Sequence, residues 1–177
     1  MRPLVVKNAL SEETLAFINS IDEKWQKGGF MRNEQTHTYR NVLSKDRRCW
    51  AINLNGYKKL LNEFESLIKT YNNTNQEIKL TNGNIDCHLL EYRDEDVGTL
   101  AEHQDVYYID SDVRKLSMTV QLNDNFEGGE FYINGDNVEL GKNDAVIFPS
   151  FLPHGVKPVL KGNRRVVLVW AFGPHWQ

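Results

Sequence analysis

The chain has 177 residues, 40% of them hydrophobic and 11% aromatic, enough apolar material for one sizeable core. Its 21 basic and 24 acidic side chains leave a formal net charge of -3, which excludes any electrostatic case for a nucleic-acid or anionic-membrane surface. Only Cys49 and Cys87 are present, too few for a secreted disulfide scaffold, and the longest apolar run, "VVLVWAF" at 166–172, has strand length and falls short of the roughly 20 residues that span a bilayer.

In chain order, "MRPLVVKNAL" meets Ser-Glu-Glu before a signal-peptide core forms, so a reducing cytoplasm is the expected compartment. Ser11 is placed as an N-cap, with Glu12 and Glu13 in a first turn where the helix dipole favours negative charge. Phe17, Ile18, Ile21 and Trp25 recur at helical spacing and predict a helix over about 12–25, closed by Gly28-Gly29. Tyr57, Leu60, Leu61, Phe64, Leu67, Ile68 and Tyr71 predict a second helix with one apolar face, suited to packing on a sheet. After the polar "NNTNQ" at 72–76, short β-branched and aromatic runs predict strands near 85–92, 116–122, 129–134, 145–149 and 165–172. No repeat or linker divides the chain. The expectation is one domain over 1–177, with a helical part over about 1–80 buttressing a mainly β core, sandwich or barrel, over about 81–177.

The stretch "LAEHQDVYYID" at 100–110 sets His103 and Asp105 two apart, on one face if the chain there is extended. A third donor is available in "FPSFLPHGVKPV", where His154 follows a buried-looking strand. Two neutral imidazoles and one carboxylate suit non-haem Fe(II) and leave positions open for a bidentate cosubstrate and O2. Arg164 follows ten residues after His154, and its planar fork on a strand could take a ligand carboxylate bidentately. Arg165 faces the other way on a regular strand, so only one of the two serves the interior.

The ordered set His103-x-Asp105, "LSMTVQLNDNFEGGEFYI", "GKNDAVIFPSFLPHGVKPV", Gly162-x-Arg164 and Trp170 resembles the Fe(II)- and 2-oxoglutarate-dependent dioxygenases, in particular the prolyl 4-hydroxylase-like branch, over roughly residues 85–174. The resemblance implies a double-stranded β-helix, or jelly roll, with the N-terminal helices outside it. It implies that His103, Asp105 and His154 bind Fe(II) and are the catalytic set. It assigns Arg164 and Tyr92 to the far carboxylate of 2-oxoglutarate, and Gln121 to a position facing that cosubstrate. Trp170 matches a tryptophan near the peptide groove, and Tyr107 and Tyr108 are candidates for the groove rim. Many eukaryotic members have lysine where this chain has Arg164, an aromatic residue at Arg165 and lysine at Val169; the arginine keeps the needed charge, and the Val169 difference weakens the substrate assignment.

The implied activity is hydroxylation of prolyl residues in a peptide or protein, which could be proline-rich, with release of succinate and CO2; O2 is consumed and ascorbate supports turnover. Alternatives are the same chemistry on a free amino acid, another side chain or a small metabolite, or a catalytically silent barrel that binds a metal or peptide. A nucleic-acid dealkylase fits poorly with an acidic chain that has no basic stripe. With no attached targeting or accessory module, a stand-alone microbial or viral enzyme is expected.

Other motifs receive structural readings. Asp94, Glu95 and Asp96 form a solvated loop, Gly128-Gly129 a tight turn or bulge, Cys87 packing, and Trp50 and Arg48 core or rim. His37, His88 and His175 have no partner at ligand spacing.

Overall fold

The structure, a computed structural model, describes residues 2–33, 38–75 and 78–175. Helix α1 (Glu12–Asn19) begins as expected: the Ser11 hydroxyl oxygen accepts the Thr14 N–H at 3.1 Å, and Glu12 and Glu13 occupy the first turn. It ends well before Trp25. The Ser20 N–H bonds to the Ala16 and Phe17 carbonyls and its hydroxyl donates to the Phe17 carbonyl at 2.8 Å, closing the last turn. Ile21 and Trp25 still pack against the core, but from the segment after the helix, so their helical spacing reflects burial without helix. Leu15 and Ile18 form the buried face, while Phe17 stays 42% exposed, edge-on to Tyr57.

Helix α2 (Lys58–Asn75) keeps the predicted stripe, with Leu60, Phe64, Ile68 and Tyr71 buried in one cluster against the main sheet. Burial of such a side chain contributes roughly 1.5–3 kcal/mol, so this face fixes the helix far more firmly than its propensity does.

The strands that build the site are, in order, β1 (Leu4–Val6), β2 (Trp50–Asn53), β3 (Ile85–Arg93), β4 (Thr99–His103), β5 (Asp112–Gln121), β6 (Phe131–Ile133), β7 (Ala145–Pro149), β8 (His154–Val156) and β9 (Asn163–Pro174). The five predicted strands are present, the one at 145–149 with its predicted bounds and the other four with shifted ends. The N-terminal part is not purely helical: β1 adds to the edge beside β7, and β2 pairs with β3. These short runs become strands because a longer neighbour supplies the ladder.

The main sheet runs β1-β7-β5-β9-β3-β2 and continues into the two-residue strand Gln26–Lys27. The second sheet runs from Asp136–Asn137 through β6, β8 and β4 to the two-residue strand Arg47–Arg48. Both are antiparallel, and they face each other as a double-stranded β-helix, with the helices on the outer face of the main sheet.

Alternation sorts the side chains. Leu116, Met118, Val120, Val167, Val169 and Ala171 point to the helix side, whereas Val166, Leu168, Trp170 and Phe172 join the inner cluster between the sheets. Ser117, Thr119 and Gln121 occupy the inward positions of β5. The Gly128-Gly129 pair behaves as predicted: both have positive φ, and the pairing of Glu127–Gly128 with Val159–Lys161 shifts register there.

Candidate metal centre and its two clefts

His103 ends β4 and His154 opens β8, and the two are direct register partners in the second sheet. Their ring centroids stand 4.4 Å apart. Gly155 is what lets the strands close here, since any side chain at that position would strike the Tyr132 hydroxyl and the Leu100 carbonyl. Asp105 lies past the end of β4, so it reaches the site from an anchored loop, not from a continued strand as the i, i+2 argument assumed. Its N–H bonds to the Ser150 carbonyl at 2.8 Å, and its Oδ2 accepts the Ser117 hydroxyl at 2.7 Å, with the Ser150 hydroxyl 3.0 Å from that of Ser117.

The three ligand atoms lie within 4.8 Å of one another. His103 Nε2 is 3.2 Å from Asp105 Oδ1, and His154 Nε2 is 3.2 Å from Oδ2. Each Nδ1 faces a carbonyl oxygen, Ala101 at 3.0 Å and Leu152 at 2.9 Å. A carbonyl only accepts, so each Nδ1 carries a proton, and in the neutral form that can ligate a metal each ring turns its Nε2 lone pair toward the carboxylate. Three acceptors thus converge with no hydrogen to share, which a cation at the centre resolves; the residues fit a facial triad for Fe(II). Burial pushes the Asp105 carboxyl up, but hydrogen bonds from the His103 and His154 rings and their positive charge, when they carry a second proton, outweigh it and hold the group well below the usual carboxylate range.

Arg164 sits on β9 opposite Tyr92 on β3, and both line the same cavity as the triad. Arg164 is 1% exposed, its guanidinium is 5.5 Å from the centre of the Tyr92 ring, and its Nε and Nη2 have no hydrogen-bond acceptor. Burial pulls it down to about 10, so it is still a cation at neutral pH. A buried charge with two unmet donors is costly, and a dicarboxylate such as 2-oxoglutarate satisfies both the charge and the fork. Burial raises the Tyr92 phenol, which therefore stays a neutral donor. Gly129 completes the fit: an added Cβ would stand 3.2 Å from Arg164 Cδ and 2.9 Å from Val159. Arg165 turns outward, with its Nε 3.7 Å from Glu91.

Two open clefts, each of about 500 Å³, flank the triad cavity. Arg164, Gln121 and Gly129 line the first. Gln121 does not line the triad cavity itself, and its amide nitrogen donates to the Asn123 carbonyl at 2.8 Å. Trp170, Tyr107, Arg114, His88 and Arg47 line the second, and Trp170 and Arg47 also line the triad cavity. Arg114 stacks 3.6 Å above the Trp170 ring. Tyr108 points elsewhere, edge-on to His175 at 5.1 Å.

Several neighbours have structural roles. Asp94–Asp96 forms a 3-10 turn in which Asp96 accepts the Trp50 indole N–H at 2.6 Å, and Arg93 stacks on that indole. Cys87 is buried on the helix side, and His88 pairs with Asp86 at 2.9 Å at the wall of the second cleft. His37 lies outside the described residues. Sequence reading missed Ser117, Ser150, Arg114 and Arg47. Ser117 was accessible from the alternation in "LSMTVQL", where polar residues mark one face of an otherwise apolar strand; Arg47 left no such signal.

Fold and site together define a non-haem iron centre of the facial-triad class inside a double-stranded β-helix. The profile of the 2OG-Fe(II) oxygenase superfamily matches residues 87–172, the segment that holds the triad, Arg164 and Trp170. A PKHD-type hydroxylase of Colwellia psychrerythraea is 43% identical over 49 residues, 25% of this chain and 22% of that protein, so the match spans under a quarter of the relative. The fold is similar to that of a viral collagen prolyl hydroxylase from Paramecium bursaria Chlorella virus-1 in complex with 2-oxoglutarate (TM-score 0.68, 14% identity, 98% of this chain and 97% of that one). A Pseudomonas putida prolyl 4-hydroxylase is equally similar (TM-score 0.68, 18%, 98% and 93%). So is a Trichoplax adhaerens prolyl hydroxylase in complex with a hypoxia-inducible-factor peptide fragment (TM-score 0.68, 18%, 97% and 83%). This is a likeness of fold, that of the prolyl 4-hydroxylase-like branch.

Proposed function

We propose that the chain acts as one domain, an Fe(II)- and 2-oxoglutarate-dependent dioxygenase that hydroxylates prolyl residues in a peptide or protein. The observation that carries the reading is the pairing of two unmet demands in one cavity: three converging acceptors that need a cation, and a buried arginine that needs a carboxylate. Bound there, Fe(II), 2-oxoglutarate and O2 supply the oxidation, in which the cosubstrate becomes succinate and CO2 and one oxygen atom enters a substrate C–H bond.

The protein's own residues have four tasks. His103, Asp105 and His154 would hold the metal and leave coordination positions free for the cosubstrate and O2. Arg164, with Tyr92, takes the far carboxylate, and Gln121 stands in the neighbouring cleft that Arg164 also lines. Leu90, Phe131, Val156 and Leu168 wall the cavity with apolar surface and keep water from the reacting atoms. Trp170, with Tyr107, edges the substrate groove, where an aromatic surface suits a polyproline II segment, and Tyr108 turns away from it. Ascorbate supports turnover by keeping the metal reduced, and the two buried free cysteines suit a reducing cytoplasm. Among the described residues no helix is long and apolar enough to cross a membrane. The similarity to prolyl hydroxylases, one of them holding a peptide, supports the substrate class.

The test is succinate formation from 2-oxoglutarate under Fe(II) and ascorbate, with and without a proline-rich peptide, in the wild type and His154→Ala. Turnover that is stimulated by peptide, adds one oxygen to it and falls to background in the variant is the expected result. Folded, iron-loaded protein with no succinate would overturn the proposal, and turnover indifferent to peptide would overturn its substrate.

A further inference from the structure

Arg164 is not the only arginine with an unmet demand at this site. Arg47 lies in the short strand Arg47–Arg48, paired with β4, so it stands one strand from His103, with Leu100 as its register partner. A tight turn fixes it: its N–H donates to the Ser44 hydroxyl oxygen at 3.0 Å, its carbonyl accepts the Ser44 N–H at 2.9 Å, and the Asp46 carbonyl accepts the Ala101 N–H at 2.8 Å. The side chain lines both the triad cavity and the Trp170 cleft, and its buried Nε has no hydrogen-bond acceptor. It makes no ion pair with a carboxylate within 4.0 Å among the described residues; the Cys49 thiol is its side-chain hydrogen-bond partner, and the more distant Asp105 carboxylate stabilises its charge.

The surroundings sharpen the point. Arg114, on the same cleft, is close enough for the two guanidiniums to repel, and its Nε is also unmet. Lys27 adds a third cation at the rim. The cleft's one acid, Asp86, is already engaged by Asn55 at 2.8 Å, His88 at 2.9 Å and Arg114 at 3.5 Å. Two guanidiniums held together at one cleft whose single acid is already shared among three partners stabilise an incoming anion. Arg164 and Arg47 thus line one cavity and each opens onto a different cleft.

We infer that Arg47 is a specificity-determining residue that binds a carboxylate of the substrate beside the reacting carbon, while Arg164 binds the cosubstrate. The inference rests on the reading above that the substrate occupies the Trp170 cleft. The carboxylate comes either from an acidic side chain next to the target residue or from a free main-chain terminus, and the two sources are separable.

The test is calorimetric titration of the full chain, anaerobic, with Fe(II) and saturating 2-oxoglutarate, using three probes: N-acetylproline, N-acetyl-glutamyl-prolinamide and the neutral N-acetylprolinamide. At least one charged probe should bind about 10-fold or more tightly than the neutral one, and which one does so identifies the source. Arg47→Gln should remove that preference and leave 2-oxoglutarate binding intact, Arg47→Lys should keep part of it, and Arg164→Leu should do the reverse, with equal unfolding midpoints as the fold control. Equal binding of all three probes overturns the inference, as does a loss of both ligands together in Arg47→Gln and Arg47→Lys. Failure of the dioxygenase reading has a separate signature, the absence of 2-oxoglutarate binding in the wild type. In that event the Arg47-dependent preference is read in the metal-free chain.

Discussion

The two faces of the main sheet are built from the same strands and do opposite things. On the helix side, β5 and β9 present Leu116, Met118, Val120, Val167 and Val169 to Leu60, Phe64 and Ile68, an apolar cluster with no charge to satisfy. On the inner side the same strands present Ser117, Thr119 and Gln121, with Arg164 and Trp170. One face accumulates burial energy, and the other keeps polar groups out of water with demands unmet. A fold can hold such a site only if its outer face supplies the stability that the inner face withholds.

This contrast predicts that outer-face substitutions lose stability without changing the site. Phe64→Ala should cost about 3–5 kcal/mol, the range for truncating a buried aromatic, as read from urea denaturation. The protein that remains folded should bind 2-oxoglutarate as the wild type does; a changed affinity would mean that the faces are coupled.

Arg164→Leu should do the opposite. Losing two charge-assisted bonds, about 3 kcal/mol, raises the KM for 2-oxoglutarate roughly 10²-fold. The ligand-free protein should be at least as stable as the wild type, because a buried charge without a partner has been removed. A marked drop in its unfolding midpoint would show that Arg164 is structural.

Ser117→Ala removes the hydrogen bond that orients Asp105 Oδ2, and iron affinity should fall about 10-fold, the lower end for a group that holds a metal ligand. Equilibrium dialysis against Fe(II) checks it. No change would mean that the Ser150 carbonyl suffices to hold Asp105.

The smallest effect lies at the mouth of the inner face. Burial raises the Asp86 carboxyl, but His88, Asn55 and Arg114 outweigh it and bring it from 3.8 down to about 2. A carboxyl depressed in the folded state contributes stability above its unfolded pKa and loses it as pH falls through the folded value, here from about 4 toward about 2. After allowance for solvent screening of a side chain 24% exposed, the contribution is about 1 kcal/mol. Asp86→Asn should flatten the acid limb of the stability curve by that amount, as followed by denaturant midpoints through the acid range.

Much of the outer face was legible because burial repeats with the period of the element. The α2 stripe from Tyr57 to Tyr71 and the run at Ala145–Pro149 could be read directly, since one-sided packing writes itself into spacing. Periodicity also misled. Ile21 and Trp25 matched a helix that Ser20 had already closed, because a loop buried against a core can imitate the pattern. On the inner face, His103, Asp105, His154 and Arg164 were recognisable because the metal chemistry demands fixed residue types at nearly fixed spacings.

What the sequence alone determined was therefore the inventory: one acidic chain with an amphipathic helix and five strands of the β core, a His-x-Asp and a distant His, and an arginine ten residues on. Only the tertiary structure decided that His103 faces His154 across a strand pair, that Ser117 and Ser150 fix Asp105, and that Arg164 and Arg47 line one cavity but open onto different clefts. The reason is physical. Local propensity and alternation act over a few residues and leave their mark in the chain, whereas these contacts join strands far apart in sequence, and long-range sheet register fixes them without any local signal.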